Sequence, residues 1–323
     1  MEFVGCGWAK LLLFGEHAAV YGYPAVGLSL NAALRVHLKP GSADSWRIEG
    51  VQAEDREKIL QVMALIEELA STEVEKRKPG GRLMLESRIP RGLGFGSSAS
   101  LCVALAAAVA SRRGESDSRR IWEWAHRAER LFHGTPSGID TGLALLGGLY
   151  SFRPDPPQLP EAERLTGVPL HLVVGAVPRR ASAGALIGAL REKVVGGDQG
   201  VRKVLERLGA LAADAGAILR LRPERGAGGS AARDLGALAR EAQELLGSLG
   251  LSTPQLDRLL REGQANGALG GKLSGAGGGG AFFLVCADAE AARGAAAALQ
   301  QLSRSLKLPT AGTIYPLSWL PDK

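Results

Sequence analysis

Residues Arg91 to Val109 read RGLGFGSSASLCVALAAAV, with glycine at alternate positions, then two serines, then an alanine-rich run. Gly92, Gly94 and Gly96 allow bare backbone to approach an anion. The free N–H groups and dipole at the start of the following helix favour negative charge at the same place. The preceding segment, RLMLESRIP, alternates like a strand, so the local order is strand, glycine loop, helix. It is not a Walker loop, because no Gly-Lys-Ser/Thr occurs. Nor is it the dinucleotide fingerprint, because no acid stands about twenty residues further on at the end of a second strand. A plain tight turn is the competing reading of the same residues. If the loop holds phosphate, its cation must come from elsewhere in the chain.

On either side of the loop, strand and helix patterns mix without a regular βαβ rhythm. ALRVHLKPG sets Leu34, Val36 and Leu38 opposite Arg35, His37 and Lys39, the period of a half-buried strand. Asp55 to Lys78 is an amphipathic helix by its spacing, Ser118 to Leu131 is another, and GGLYSFR is a short strand. The proline-rich RPDPPQLPEAE, Arg153 to Glu163, divides residues 1–160 from 161–323. Beyond it come the strand LHLVVGAVP, helical segments from Ala183 to Leu260 broken by RPERGAGGS, and a strand–turn–strand in GKLSGAGGGGAFFLVCAD. This pattern predicts an α+β protein rather than a doubly wound parallel sheet.

The 323 residues leave room for two medium domains, and the composition, 46% hydrophobic and 22% charged, excludes global disorder. The longest uncharged apolar run, LCVALAAAVA, is about half a membrane span, so no membrane partner is expected. The start, MEFVGCGWAK, has no basic-then-apolar leader, which predicts a cytoplasmic protein. Cys6, Cys102 and Cys286 form no C-x-x-C pair and read as reduced thiols. The net charge of +6 is dispersed apart from KRK at Lys76 to Lys78, so no nucleic-acid partner is expected either.

Further stretches carry candidate chemistry. In WAHRAERLFHGTPSGID, Glu129 interrupts an apolar stripe of Trp122, Ala125 and Phe132. A carboxylate there needs a cation, a metal or a strong donor, or else a salt bridge to a neighbouring arginine. Asp140 follows a stiff Pro-Ser-Gly turn and is either a base aimed into a cleft or a helix cap. In AKLLLFGEHAAVYG, Lys10 is either a snorkelling edge residue or the cation the glycine loop lacks, and His17 reads first as a structural histidine.

KLLLFGEHAAVYG, PRGLGFGSSAS and KLSGAGGGG, in that order, with HGTPSGID as the most specific match, resemble the motifs of the GHMP small-molecule kinases and, within them, the mevalonate kinase family. The matches run from about residue 8 to residue 284. The resemblance implies a ribosomal S5 domain 2-like N-terminal domain and a ferredoxin-like C-terminal domain with ATP and mevalonate between them. The reaction it implies is transfer of the ATP γ-phosphoryl group to the 5-hydroxyl of mevalonate, with Mg²⁺. A sibling kinase for phosphomevalonate or another small alcohol and a non-catalytic nucleotide binder are the alternatives. By the same resemblance Asp140 is the catalytic base with Lys10 beside it, and Ser98 and Glu129 hold Mg²⁺. Gly92, Leu93, Gly94, Phe95, Gly96, Ser97 and Ser98 wrap the phosphates, and Glu16 and His17 line the substrate site. A homodimer is common among such relatives. Two departures stand out: Phe95 replaces a usual leucine, and in AVPRRASAG Ser182 is followed by Ala183 where many relatives have a lysine.

Overall fold

A computed structural model of the chain describes residues 1–42, 45–71, 80–155, 158–221 and 228–321. In chain order the first half holds β1 (Phe3–Phe14), β2 (Ala25–Pro40), β3 (Trp46–Glu49), α1 (Ala53–Ala70), β4 (Gly81–Ser87), α2 (Ser97–Arg113), α3 (Ser118–His133), α4 (Ile139–Leu146), β5 (Leu149–Arg153) and β6 (Glu161–Arg164). The second half holds β7 (Leu170–Val177), α5 (Ala183–Val195), α6 (Gln199–Arg220), α7 (Gly228–Ser248), α8 (Pro254–Ala265), β8 (Gly270–Leu273), β9 (Gly280–Cys286), α9 (Ala289–Ser305) and β10 (Tyr315–Trp319).

The long antiparallel pair β1–β2 organises the first sheet. The opposite edge of β2 takes β5 near its start and β4 near its end. Strand β3 adds parallel to β4, and β6 adds to β5, so this sheet runs past residue 160 to Arg164. The second sheet has the order β10-β7-β9-β8. Sequence alternation found only the later part of β2. Its earlier part, from Ala25 to Leu30, is covered on both faces and carries little of the two-residue period. The helical pattern read from Asp55 to Lys78 ends at Ala70, and its continuation, with the KRK run, lies outside the described residues. The RPERGAGGS break falls mostly outside them too.

Helix α2 explains its own alanines. Ser100, Ala104 and Ala108 lie four residues apart on one face, directly over β1. A Cβ built on Gly5 would stand 1.9 Å from the Ala104 carbonyl oxygen, and one on Gly7 would stand 2.1 Å from that of Ser100. Backbone rests on backbone, and the Ser100 hydroxyl locks the register by donating to the Trp8 carbonyl at 2.7 Å. A single apolar cluster runs through both halves, from Leu11 and Phe14 to Ala176 and Phe283. Phe14 and Phe283 meet edge to face at 6.3 Å. No described helix is long and apolar enough to cross a membrane.

The close approach of β1 and α2 sets an expectation for stability. Gly7→Ala forces two backbones apart and should destabilise the chain by about 1–3 kcal/mol in urea unfolding. Gly188→Ala, in α5 with open space at its Cβ position, should be neutral or stabilising by up to about 1 kcal/mol.

Candidate active site

The glycine loop closes onto α2 with Gly92, Gly94 and Gly96 at φ of +72°, +92° and +78°. Gly96 is the residue before the helix, and no side chain caps it, so the first-turn N–H groups face outward without a side-chain acceptor. Only glycine fits at two of these places. A Cβ on Gly96 would lie 2.7 Å from Cγ of Lys10, and one on Gly94 would lie 2.9 Å from Nη2 of Arg179. Two cationic side chains therefore lie against the loop. Leu93 and Phe95 belong to the core instead, Phe95 being 3% exposed. Any part they take in holding phosphate is through their backbone. The Phe95 carbonyl already accepts the Lys10 N–H at 3.0 Å, which ties the loop to β1.

Asp140 sits in the first turn of α4, not at its cap, which is Gly138 at φ +80°. The Trp122 indole N–H fixes this turn by donating to the Gly138 carbonyl at 3.0 Å. Asp140 is thereby aimed at β1, and its Oδ1 lies 3.0 Å from the Lys10 ammonium, itself a buried group. Glu129 of α3 is 1% exposed, and its Oε2 finds no hydrogen-bond partner among the described residues. Burial, then the Asp140 charge, pushes the Glu129 carboxyl up to about 8, with Lys10 pulling the other way. The salt bridge to Arg127 or Arg130 does not form. Ser98 Oγ lies 3.1 Å from Nε2 of His133.

The second half reaches into the same place. Lys272 of β8 is wholly buried and forms an ion pair with Glu16. His17, strained at φ +59°, has Nε2 3.1 Å from the Ala276 carbonyl, so that nitrogen carries the proton. Burial lowers the His17 pKa to about 4, so the ring is neutral and Nδ1 is left as an acceptor. Arg179, just after β7, is half-buried, and its buried Nε has no partner among the described residues. Ser182 caps α5 by accepting the Ala185 N–H at 3.2 Å, so its hydroxyl serves the helix. The glycine run after β8 packs tightly: a Cβ on Gly279 would strike the Pro178 carbonyl at 2.3 Å and one on Gly280 the Arg179 Nε at 2.7 Å. Gly279 and Gly280 thus seat Arg179, while Gly275 stands on the cavity wall.

A cavity of about 400 Å³ is lined by Lys10, Glu16, His17, Ser98, Glu129 and Asp140, with Arg179 and the three loop glycines also on its wall. A second, about 630 Å³, adjoins it through Ser97 and Ser98, and its wall mixes the apolar Leu34, Val51, Ile59 and Phe132 with the charged Asp55, Lys58 and Arg91. Among the described residues no cluster of three or more His, Cys, Asp or Glu could hold a metal by itself. The unpartnered, buried Glu129 oxygen nonetheless suits a cation that keeps most of its other ligands from water and phosphate, as Mg²⁺ does.

Residues 57–148 match the family of GHMP kinases N terminal domains, and residues 227–304 match the GHMP kinases C terminal family. The chain is 30% identical over 307 residues to a mevalonate kinase of Thermococcus gammatolerans, covering 87% of this chain and 88% of that one. The chain belongs to the mevalonate kinase family of GHMP kinases. It is also 32% identical over 281 residues to a mevalonate kinase of Archaeoglobus fulgidus, covering 85% and 89% of the two chains. Its fold superposes with a TM-score of 0.79, at 22% identity, on L. major mevalonate kinase in complex with R-mevalonate, over 99% of this chain and 96% of that one.

Against this GHMP kinase frame, sequence reading missed Arg179 and Lys272. Each stood inside a quoted stretch, AVPRRASAG and KLSGAGGGG, but a basic residue beside small ones looks like surface. No local signal marked either: the glycines that seat Arg179, Gly94 and Gly280, stand far from it in the chain, and so does Glu16, the partner of Lys272. The raised Glu129 pKa has a measurable consequence. Between its unfolded value of about 4.5 and its folded value of about 8, the folded state holds a proton that the unfolded state has lost. Stability in divalent-free buffer should thus fall as pH rises through that window. Glu129→Gln should flatten this dependence, as read from melting temperatures of both proteins across the same pH values.

Proposed function

We propose that the chain transfers the γ-phosphoryl group of ATP to the 5-hydroxyl of mevalonate. The observation that carries this reading is the Lys10–Asp140 pair, 3.0 Å apart, lying beside the glycine loop on the wall of one cavity. Phosphoryl transfer asks mainly for positioning and for neutralisation of charge on the phosphate. The N–H groups at the start of α2 and the bare backbone at Gly92, Gly94 and Gly96 provide the anion site. Lys10 supplies one cation from beneath Gly96, and Arg179 supplies another from beside Gly94.

Asp140 accepts a hydrogen bond from the alcohol and takes its proton as the alcohol oxygen bonds to the γ-phosphorus and ADP departs. Lys10 orients that carboxylate and adds positive charge next to the new O–P bond. Ser98 and Glu129 would hold Mg²⁺, which when bound neutralises charge on the phosphate oxygens. The nucleoside enters the neighbouring cavity, which meets the first at the two serines that open α2. The Glu16 carboxylate takes the remaining, tertiary hydroxyl of the substrate, with neutral His17 beside it on the cavity wall.

A coupled assay for ADP release across mevalonate, phosphomevalonate, homoserine and galactose tests the reading. Turnover should be confined to mevalonate. Asp140→Asn should lower kcat by about 10²- to 10⁴-fold while KM for mevalonate moves only a few-fold. Turnover of phosphomevalonate in place of mevalonate would move the assignment to a sibling kinase, and ATP binding without turnover of any alcohol would remove it.

A further inference from the structure

Glu16 and Lys272 are 1% and 0% exposed, and they come from opposite halves of the chain. Every ammonium proton of Lys272 is used. The group donates to Glu16 Oε1, to the Leu13 carbonyl at 3.1 Å and to the Leu273 carbonyl at 2.7 Å. Phe14 and Phe283 flank it at 5.8 Å and 5.4 Å from their ring centres. Its rotamer is therefore fixed by hydrogen bonds on one side and aromatic faces on the other.

Glu16 is not so fully used. Its Oε1 is held by Lys272, and its Oε2 has no hydrogen-bond partner among the described residues, although the side chain forms part of the wall of the 400 Å³ cavity. A buried carboxylate oxygen left unpaired is costly unless a ligand donates to it. The charged and titratable groups acting on this carboxylate are Lys272 from β8 and Lys10 from β1, with neutral His17 adjacent in the chain. Burial holds the Glu16 carboxyl above its ordinary range, and the charge and hydrogen bond of Lys272 are the main influences opposing that rise, with Lys10 a smaller one.

We propose that Lys272 is a positioning residue for the alcohol substrate: anchored in the second half, it grips Glu16 by Oε1 and so presents Oε2 as the acceptor for a substrate hydroxyl. The inference rests on the mevalonate reading above. In that reading Asp140 receives the reacting primary hydroxyl, and Glu16 receives the tertiary one. The residue acts through Glu16 and touches no reacting atom.

The test uses the full chain at saturating ATP and magnesium, with mevalonate KM and kcat measured from mildly acidic to mildly alkaline pH. Lys272→Met leaves Glu16 buried without its counter-charge. Mevalonate KM should rise about tenfold at neutral pH, because a charge-assisted hydrogen bond is replaced by a weaker one. That loss should recover as pH rises and Glu16 ionises, while KM for ATP stays within about twofold. Lys272→Arg should keep the wild-type pH profile. Glu16→Gln should show a loss independent of pH, and Lys272→Met added to it should cause no further loss. With an analogue lacking the tertiary hydroxyl, Lys272→Met should have no effect on KM.

If Lys272→Met does not accumulate as folded protein, Lys272→Gln, which keeps a long polar side chain without the charge, is read in the same way. A folded Lys272 variant without charge whose mevalonate KM and pH profile match wild type overturns the inference, as do losses that simply add with Glu16→Gln. Wild-type protein that fails to phosphorylate mevalonate overturns the functional reading and this inference with it.

Discussion

Lys10 is a charged side chain laid along a glycine. Its stem passes so close to Gly96 that a single Cβ there would stand 2.7 Å away, and its ammonium ends 3.0 Å from Asp140. For that to happen, β1 must run directly beneath the loop that opens α2, which is why the Lys10 N–H bonds to the Phe95 carbonyl. The same requirement explains Gly5 and Gly7, whose missing side chains let α2 settle on the strand. Lysine and loop thus meet because helix and strand touch at backbone distance. An alanine in place of Gly7 would disturb the site from several residues away.

Much of the site was legible because its signals are local. A run of alternating glycines ahead of a helix, a carboxylate interrupting an apolar stripe and an acid after a stiff turn can each be read within about one helical turn. Glu129 and Asp140 were recognisable for this reason, and so was Lys10 once a cation was missing from the loop. What was not legible depends on long separations. Lys272 finds its partner Glu16 256 positions away, and no periodicity reports such a pairing. Arg179 was not singled out at all, and its place is decided by Gly94 and Gly280, one from each half. The last strand, β10, was missed for a different reason: Tyr315, Leu317 and Trp319 do form a half-buried apolar face, but the run is only five residues long and Pro316 within it argues against a strand.

The charges around the cavity do not cancel within the protein. Lys10 takes Asp140, and Lys272 takes Glu16. Besides the Glu16 Oε2, that leaves the Glu129 Oε2 and the Arg179 Nε, both buried and both without a partner among the described residues. One carries negative charge when ionised and the other positive, yet they do not pair with each other. A ligand that satisfies both must bring a cation to Glu129 and an anion to Arg179. A triphosphate carrying a divalent ion does both at once, whereas either component alone would leave one buried group uncompensated. The rise of Glu129 to about 8 has the same origin: burial and the Asp140 charge both favour the protonated carboxyl, against the pull of Lys10.

The floor of the cavity is shared by both halves, and this limits how the site can move. Leu12 donates its N–H to the Ser274 hydroxyl at 3.0 Å, His17 bonds to the Ala276 carbonyl, and Lys272 bonds to the Leu13 carbonyl. Opening the halves at this end would break all three and would part Glu16 from Lys272, stranding two charges in an apolar cluster that contains Phe14 and Phe283. Such a separation is far more costly than moving a surface helix. Helix α5, by contrast, buries only Leu190. Its Ile187, 39% exposed, stands on the cavity wall with Val20, which is 40% exposed. Local opening draws on elements with few buried contacts. The lip where Ile187 and Val20 stand is therefore the part of the wall that moves most cheaply, while the floor that positions Glu16 stays closed beneath it.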